Sequence, residues 1–445
     1  MPAYRAPRGT RDLLPQDQLA ISRLRALGEE LAQRYGYHPI ATPLFERVEV
    51  FERGIGEITD VVKKELFLLA PRDEDGGERW ALRPEPTAGI VRAYVQHGMH
   101  SWPQPVKVTT TAEMFRYDRP QAGRYRSFWQ FDVEAIGDPG PAVDAEIIEL
   151  ADRFYRMAGL DRFTILLNSI GDPVCRPAYV AELTAYYRAH EAELPPTELA
   201  RLERNPLRIL DSKDESIAAL NAAAPKVTDR LCDACAEHFA GVVAHLEALG
   251  VAYTLEPRLV RGLDYYTRTA FEVFPAGSSG QQSAIGGGGR YDCLVELLGG
   301  RPTPGIGFGL GLDRVLLALR DAGSSPEIDA PEPSPVAVVV GSEPGDTVSR
   351  LRVATELRAK GLAARAELGT RKLGKQLEAA ARDGAHFAVI IGDELAGSHV
   401  QVRDLEAGTQ RAVAVDDLPR ELERATKTHR HGLVEAGPPL AAGEG

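Results

Sequence analysis

The chain has 445 residues, 44% of them hydrophobic and 26% charged, a globular composition with room for two or three domains. No apolar run approaches the ~18–20 residues that span a bilayer, and Met1 to Arg5 lacks the apolar core of a secretion signal, so a cytoplasmic setting is expected. The net charge of −12 argues against a broadly basic, nucleic-acid-coating surface, although binding needs only a local basic patch.

Residues 17–35 predict an amphipathic helix, with Leu24, Leu27 and Leu31 at helical spacing. Residues 37–43 read as extended, because a proline disfavours helix in the residue before it. From 80 to 136 strand-like segments alternate with loops rich in Pro, Gly and Arg. A helix over 143–158 stops at Gly159, and 163–168 is a strand. From 175 to about 250 the pattern is mostly helical, which reads as an insertion between two halves of a sheet-based core. Residues 253–321 are glycine-rich and strand-like, ending in a helix that begins near Leu312. Ser, Pro and acidic residues over 322–335 mark a linker, set at 326–335, which leaves 1–325 as one domain. Beyond it, strand 336–340, helix 346–360, a short strand, helix 373–382 and strand 387–391 predict a small α/β domain over 336–427. The tail 428–445 is expected to be disordered.

Four cysteines are too few for a disulfide framework. Cys232-Asp233-Ala234-Cys235 has the CxxC spacing of a zinc or redox site, but a zinc site needs a second ligand pair. Cys175 and Cys293 are isolated in sequence, and His238 completes no zinc pattern. The pair also falls in a helical pattern (Leu231, Phe239, Val242, Val243, Leu246), so a structural role is expected, with no fixed metal site.

Three constellations carry chemistry or imitate it. In the strand 128–136, Gln130, Asp132 and Glu134 share one face and Trp129, Phe131, Val133 and Ala135 the other. The loop before it holds Arg116, Arg119, Arg124 and Arg126, and arginine grips phosphate in a bidentate fork. In the segment 305–314, Gly305, Gly307, Gly309 and Gly311 recur at period two, leaving one strand face bare for a flat ring. Arg314 then falls in the first turn of the next helix, where phosphate is favoured. The spacing does not fit the dinucleotide GxGxxG. The third constellation, 369–376, matches GxxxxGK but has Gln376 where a phosphate loop needs Ser or Thr.

Taken in order, these segments resemble the three signature motifs of class II aminoacyl-tRNA synthetases: 37–45, 114–136 and 305–319. Arg261-Gly262-Leu263-Asp264-Tyr265-Tyr266 and Gly287-Gly288-Gly289-Arg290-Tyr291-Asp292 are similar to the two histidine-specific motifs of the histidyl-tRNA synthetases. Residues 82–89 and 205–213 also resemble family elements. Two departures are Asp118 in place of the usual glutamate and Pro86 where glycine is common.

The resemblance implies an α+β class II catalytic core, an antiparallel sheet flanked by helices, with a helical insertion and a C-terminal α/β anticodon-binding domain. It implies that L-histidine is activated with ATP and passed to tRNA(His) by a homodimer whose first motif helps build the interface. Arg116 would hold the α-phosphate and Arg314 the γ-phosphate, with Mg2+ on the β- and γ-phosphates. Arg261 would lie between the reacting groups, where many class II relatives use a metal. Asp118 and Arg124 would contact ATP; Glu85, Thr87 and Gln130 would fix the substrate ammonium. Glu134 and Tyr266 would bond the two imidazole nitrogens, in a pocket that includes Tyr265 and is closed by Tyr291. Gln121 and Arg124 would touch the tRNA acceptor end, and Glu85 or a substrate phosphate would accept a proton in the transfer step. Between Arg350 and Arg382, nine Lys/Arg against three Glu give a local balance of +6 suited to reading an anticodon. The alternative is a regulatory subunit of ATP phosphoribosyltransferase, which shares the catalytic fold. Such proteins typically lose parts of the motifs and the anticodon domain, whereas Glu85, Arg116, Gln130, Glu134, Arg261, Tyr266 and Arg314 are all present here.

Overall fold

A computed structural model describes residues 4–55, 61–70, 77–119, 123–212, 214–260, 265–277, 284–323, 336–341, 343–392 and 398–434. Arg261 to Asp264, Gln121 and the linker 326–335 lie outside the described residues. The chain divides into two compact units, Met1–Ala330 and Pro331–Gly445.

In the first unit the strands are β1 (His38–Pro39), β2 (Phe45–Arg47), β3 (Trp80–Leu82), β4 (Val106–Phe115), β5 (Ser127–Ile136), β6 (Phe163–Ser169), β7 (Thr254–Leu255), β8 (Thr267–Pro275), β9 (Gly286–Arg290) and β10 (Gly305–Gly311). The helices are α1 (Pro15–Arg34), α2 (Val48–Ile55), α3 (Thr87–Gln96), α4 (Pro141–Met157), α5 (Arg176–Ala189), α6 (Pro196–Leu202), α7 (Leu207–Leu210), α8 (Ala218–Ala223), α9 (Asp233–Leu249), α10 (Leu294–Leu297) and α11 (Leu312–Ala322). Among the described residues eight strands form one sheet, in the order β1-β4-β5-β10-β9-β8-β6-β7. Its six inner strands run antiparallel, and β1 and β7 add parallel at the edges.

Period-two alternation decides what each face of the sheet meets. Phe131, Val133 and Ala135 of β5 and Ile306, Phe308 and Leu310 of β10 point into a core with Ile21, Leu24 and Leu31 of α1, Phe154 of α4 and Leu316 of α11. Each of these Val, Ile, Leu and Phe side chains contributes roughly 1.5–3 kcal/mol by leaving water. The opposite faces of the same two strands carry Gln130, Asp132 and Glu134 beside the alternate glycines. A second apolar cluster joins α2 and α3 to Tyr265, Tyr266, Tyr291 and Leu294. The strand-and-loop reading of 80–136 missed α3. Pro84 and Pro86, counted among the loop prolines, precede the helix, and the Glu85 carboxylate accepts the amides of Thr87 (2.7 Å) and Ala88 (3.0 Å) at its start.

The helical insertion has its own core, from Tyr179 to Val227 together with Val260. Helix α9 instead sends Val242 and Leu246 into the sheet's core. It starts at Asp233 with Cys232 as its N-cap, so the CxxC pair sits at a helix entrance and Leu231 lies before it.

The second unit contains β11 (Ala337–Gly341), β12 (Ala364–Ala366), β13 (Phe387–Ile391), β14 (His399–Asp404), β15 (Gln410–Ala414), α12 (Thr347–Ala359), α13 (Leu373–Arg382) and α14 (Leu418–Val434). The sheet order is β12-β11-β13-β14-β15, parallel over the first three strands and antiparallel over the last two. Helix α14 continues to Val434, past the expected start of the tail at 428. Not all of the basic stretch faces outward. Arg350 is fully buried and donates to the carbonyl oxygens of Glu367 (2.7 Å) and Glu343 (3.3 Å). Gln376, the residue that spoils the phosphate-loop match, is buried and bonds both the amide and the carbonyl of Gly341.

Candidate active site

The glycine strand explains where the polar residues of β5 go. Gly307 lies opposite Glu134, Gly309 opposite Asp132 and Gly311 opposite Gln130. A β-carbon on Gly307 would collide with the Glu134 carboxylate, and one on Gly309 with the Gln130 amide and the Asp132 carboxylate. A β-carbon on Gly305 would strike the Tyr291 ring. The expectation of a bare face is therefore corrected: side chains from β5 lean across the space the glycines open. The glycines remain part of a cleft of ≈ 390 Å³ that includes Gly286, Gly287, Gly307, Gly309 and Gly311.

The two ends of this cleft have opposite character. At one end Glu85, Asp132 and Glu134 are nearly fully buried. Glu134 accepts from Thr87 Oγ1 and from the Tyr291 hydroxyl, both at 2.6 Å. Burial pushes its carboxyl up to about 8, against the pull of those two bonds. Asp132 accepts from Gln130 Nε2 at 2.7 Å, and burial, Glu134 and Glu85 together raise it well above the usual carboxylate range. Burial also raises Glu85, although the Ala88 and Thr87 amides and Arg116 oppose the shift. The rings of Tyr265 and Tyr266 lie 4.7 Å apart, with Tyr291 edge-on to Tyr265 at 6.0 Å.

At the other end Arg116, Arg124 and Arg314 converge. Arg314 donates to the carbonyls of Gly123 (3.2 Å) and Ala284 (2.7 Å). Burial first, and then the neighbouring Arg124 and Arg116, lower it to about 10. Arg124 pairs with Asp118 at 2.6 Å. Arg116 donates to Pro84 O at 2.8 Å and acts electrostatically on both Glu85 and Arg314, so it stands between the two ends. Like charges held together in this way favour a polyanionic ligand.

Glu85, Thr87, Arg116, Asp118, Arg124, Gln130, Glu134, Tyr265, Tyr266, Tyr291 and Arg314 thus line one cleft. Gln121 and Arg261 fall outside the described residues, but Val260 and Tyr265 on either side of the gap at 261–264 line it. Asp132, placed by the sequence on the polar strand face but given no role, lines it as well, and so do Glu65, Arg208, Asp211 and Glu272, which the sequence did not mark as site residues. Arg208 and Asp211 lie in the family-like stretch 205–213; Glu272 lies in an otherwise apolar strand, and its polar position was the signal available. Arg290, in the second histidine-like motif, is fully buried. It pairs with Asp144 (2.5 Å) and Asp292 (3.1 Å), while Asp144 also accepts from Thr269 and meets His238. Removing one partner of such a pair typically costs about 3–5 kcal/mol. The network fixes the strand end that delivers Tyr291.

A family model for histidyl-tRNA synthetase matches residues 9–315. The chain belongs to the histidyl-tRNA synthetase family. A second model, for an anticodon-binding domain, matches residues 335–425. The histidine–tRNA ligase of Moorella thermoacetica is 47% identical over 423 residues, covering 94% of this chain and 98% of that protein. The histidine–tRNA ligase of Streptomyces coelicolor is 44% identical, covering 94% and 97%. Apo histidyl-tRNA synthetase of S. aureus superposes with a TM-score of 0.78 at 33% identity, covering 94% of this chain and all of that one. The fold expected from the motifs, an antiparallel catalytic sheet with a helical insertion and a C-terminal anticodon-binding domain, is the fold of this synthetase family.

Proposed function

We propose that this family member, a histidine–tRNA ligase, holds histidine at the carboxylate end of the cleft and ATP at the guanidinium end. The observation that carries this placement is the polarity of the cleft. Glu85, Asp132 and Glu134 suit the ammonium and imidazole of histidine, whereas Arg116, Arg124 and Arg314 suit a triphosphate. Arg116, between the ends, is placed for the junction where carboxylate attacks α-phosphate. Arg261 is assigned to the same junction on its motif and on its neighbours Val260 and Tyr265. Two anions meet in this step, so fixed cations that need no reorganisation lower its barrier.

Glu134, held from both sides by Thr87 and Tyr291, is a preset acceptor for an imidazole N–H. Tyr266 would bond the other ring nitrogen. An analogue lacking either nitrogen leaves a buried group unpaired, which can discriminate by roughly 10⁴–10⁵. Gln130 bonds Asp132, so the two act together at the ammonium. Gln121 and Arg124 are assigned to the tRNA acceptor end. Glu85, whose carboxyl is raised by burial, is the protein's candidate to take the ribose proton in transfer. Glu65, Asp118 and Glu272 line the same cleft and would hold Mg2+ with ATP, where it would supply positive charge to offset that of the phosphates.

Among the described residues no helix is long and apolar enough to cross a membrane, in keeping with a cytoplasmic enzyme. The regulatory-subunit alternative is disfavoured by the matched anticodon-binding domain. Histidine-dependent exchange of pyrophosphate into ATP, without tRNA, tests the activation step. Exchange with histidine alone among the amino acids, lost in Arg261→Ala, is expected. Folded wild-type chain that gives no exchange would move the regulatory reading to first place.

A further inference from the structure

The fold assembles four metal-ligating side chains that the sequence scatters. The loop after β6 carries Asp172 and Cys175, and the entrance to α9 carries Cys232 and Cys235. Their Sγ and carboxylate atoms all lie within 4.8 Å of one another. Cys175 Sγ is 3.6 Å from Asp172 Oδ1. Four ligands around tetrahedral zinc, with Zn–S near 2.3 Å, stand about 3.8 Å apart. The group therefore needs to contract by only about 1 Å at its widest to close on an ion. We propose that Asp172, Cys175, Cys232 and Cys235 form a structural zinc site.

The surroundings suit such a cluster. Three thiolates and a carboxylate around Zn2+ leave two net negative charges. Cys175 is the N-cap of α5 and Cys232 the N-cap of α9, so two helices direct their positive ends at the site. Arg268 lies 3.6 Å from Asp172 Oδ2 and supplies a further positive charge. The Val174 and Cys175 amides hold Asp172 Oδ1 at 2.9 and 3.3 Å, which fixes the carboxylate beside the thiols. Gly171 makes the tight turn at φ +65°, and a β-carbon there would stand 2.8 Å from Cys175 Sγ. All four cysteines of the chain are free thiols. A Cys232–Cys235 disulfide would use two of the three clustered sulfurs and leave Cys175 and Asp172 without a purpose. Thiolate-rich tetrahedral sets select zinc among the common divalent ions. On binding, three thiol protons pass to solvent and no electron moves.

The position assigns the ion a task. Asp172 and Cys175 stand where the chain enters the helical insertion, and Cys232 and Cys235 where it leaves. Zinc would clasp the base of the insertion and close a long loop, which is where a clip removes most unfolded-state entropy. The clasp also abuts the cleft: Arg176, next to Cys175, donates to the carbonyls of Gly171 (3.0 Å), Ile170 (3.1 Å) and Tyr266 (2.6 Å).

Metal content of the reduced, full-length chain, purified without added metal or chelator, is the test. About one zinc per chain is expected, falling below about a tenth in Cys232→Ser/Cys235→Ser and persisting in Cys293→Ser. Cobalt exchanged into wild type should give thiolate-to-metal charge transfer and tetrahedral d–d bands, a readout that needs no variant. Chelation should lower Tm in wild type and leave that of the double variant unchanged. Iron in place of zinc, zinc retained by the double variant, a Cys232–Cys235 disulfide in the unreduced chain, or the absence of both zinc and cobalt–thiolate bands would each overturn the proposal.

Discussion

Glu134 shows how a single residue's setting can be turned into a measurement. Its ordinary value is 4.5, and the folded site raises it to about 8, chiefly through burial. Between those values the folded chain keeps a proton that the unfolded chain has released. Ligand-free stability should therefore fall as pH rises across that window, with the penalty complete above about 8. Glu134→Gln removes this titration and keeps the shape, with one of the two hydroxyls, Thr87 or Tyr291, turning to accept from the new amide. Its Tm should exceed that of wild type at pH 8, and the gap should shrink toward pH 5. A gap that is constant or widens toward acid would refute the buried carboxyl that holds its proton. Residue-level chemistry was largely legible in the sequence, because the alternation from Gln130 to Glu134 placed three polar groups on one face. The partners of Glu134 were not. Thr87 was assigned to the substrate ammonium and Tyr291 to closing the pocket, and both prove to hold the carboxylate.

At the scale of elements, the pairing of β5 with β10 builds the site. The glycines at 305, 307, 309 and 311 were read as a face bare for a flat ring, and β5 side chains and Tyr291 occupy that space instead, since registry with a neighbouring strand is a non-local fact. Gly307→Ala would push a methyl group into the Glu134 carboxylate and to 2.5 Å from the Val133 carbonyl oxygen. Histidine-dependent exchange should fall by at least about 100-fold, as a misplacement on the order of 1 Å can cost that much. Circular dichroism should still report the native secondary structure, and a variant with near-normal exchange would count against the packing account. Helix α3 escaped sequence reading because two prolines hid its start; β14 and β15 escaped because their pairing is antiparallel after a parallel run. The cysteine cluster was illegible for a similar reason: Cys175 looked isolated, and only folding brings it to Cys232 and Cys235.

For the whole molecule, the two units have separate cores, and the C-terminal one suits the anticodon-binding role of its family. The first motif leaves Leu44 and Phe45 exposed at 49% and 47%, and Leu68, bridged to Ala81 of the short β2–β3 ribbon, is exposed at 62%; Phe45 meets Trp80 edge-on at 5.8 Å. Apolar groups this exposed on one edge fit the homodimer interface that the motif implies. Leu44→Asp/Phe45→Asp should convert a sedimenting dimer to monomer in analytical ultracentrifugation. A wild-type chain that sediments as monomer at micromolar concentration would remove the dimer from the account.

The most direct test of the account is the kinetics of ATP–pyrophosphate exchange in Glu134→Gln, varying histidine and ATP separately. Measured above pH 8, where Glu134 is ionised, loss of a charged hydrogen bond of about 1.5–3 kcal/mol predicts a histidine KM raised roughly 10- to 100-fold. The ATP KM should stay near that of wild type, because the guanidinium end is untouched. A histidine KM within about twofold of wild type would contradict the assignment of the carboxylate end to the amino acid.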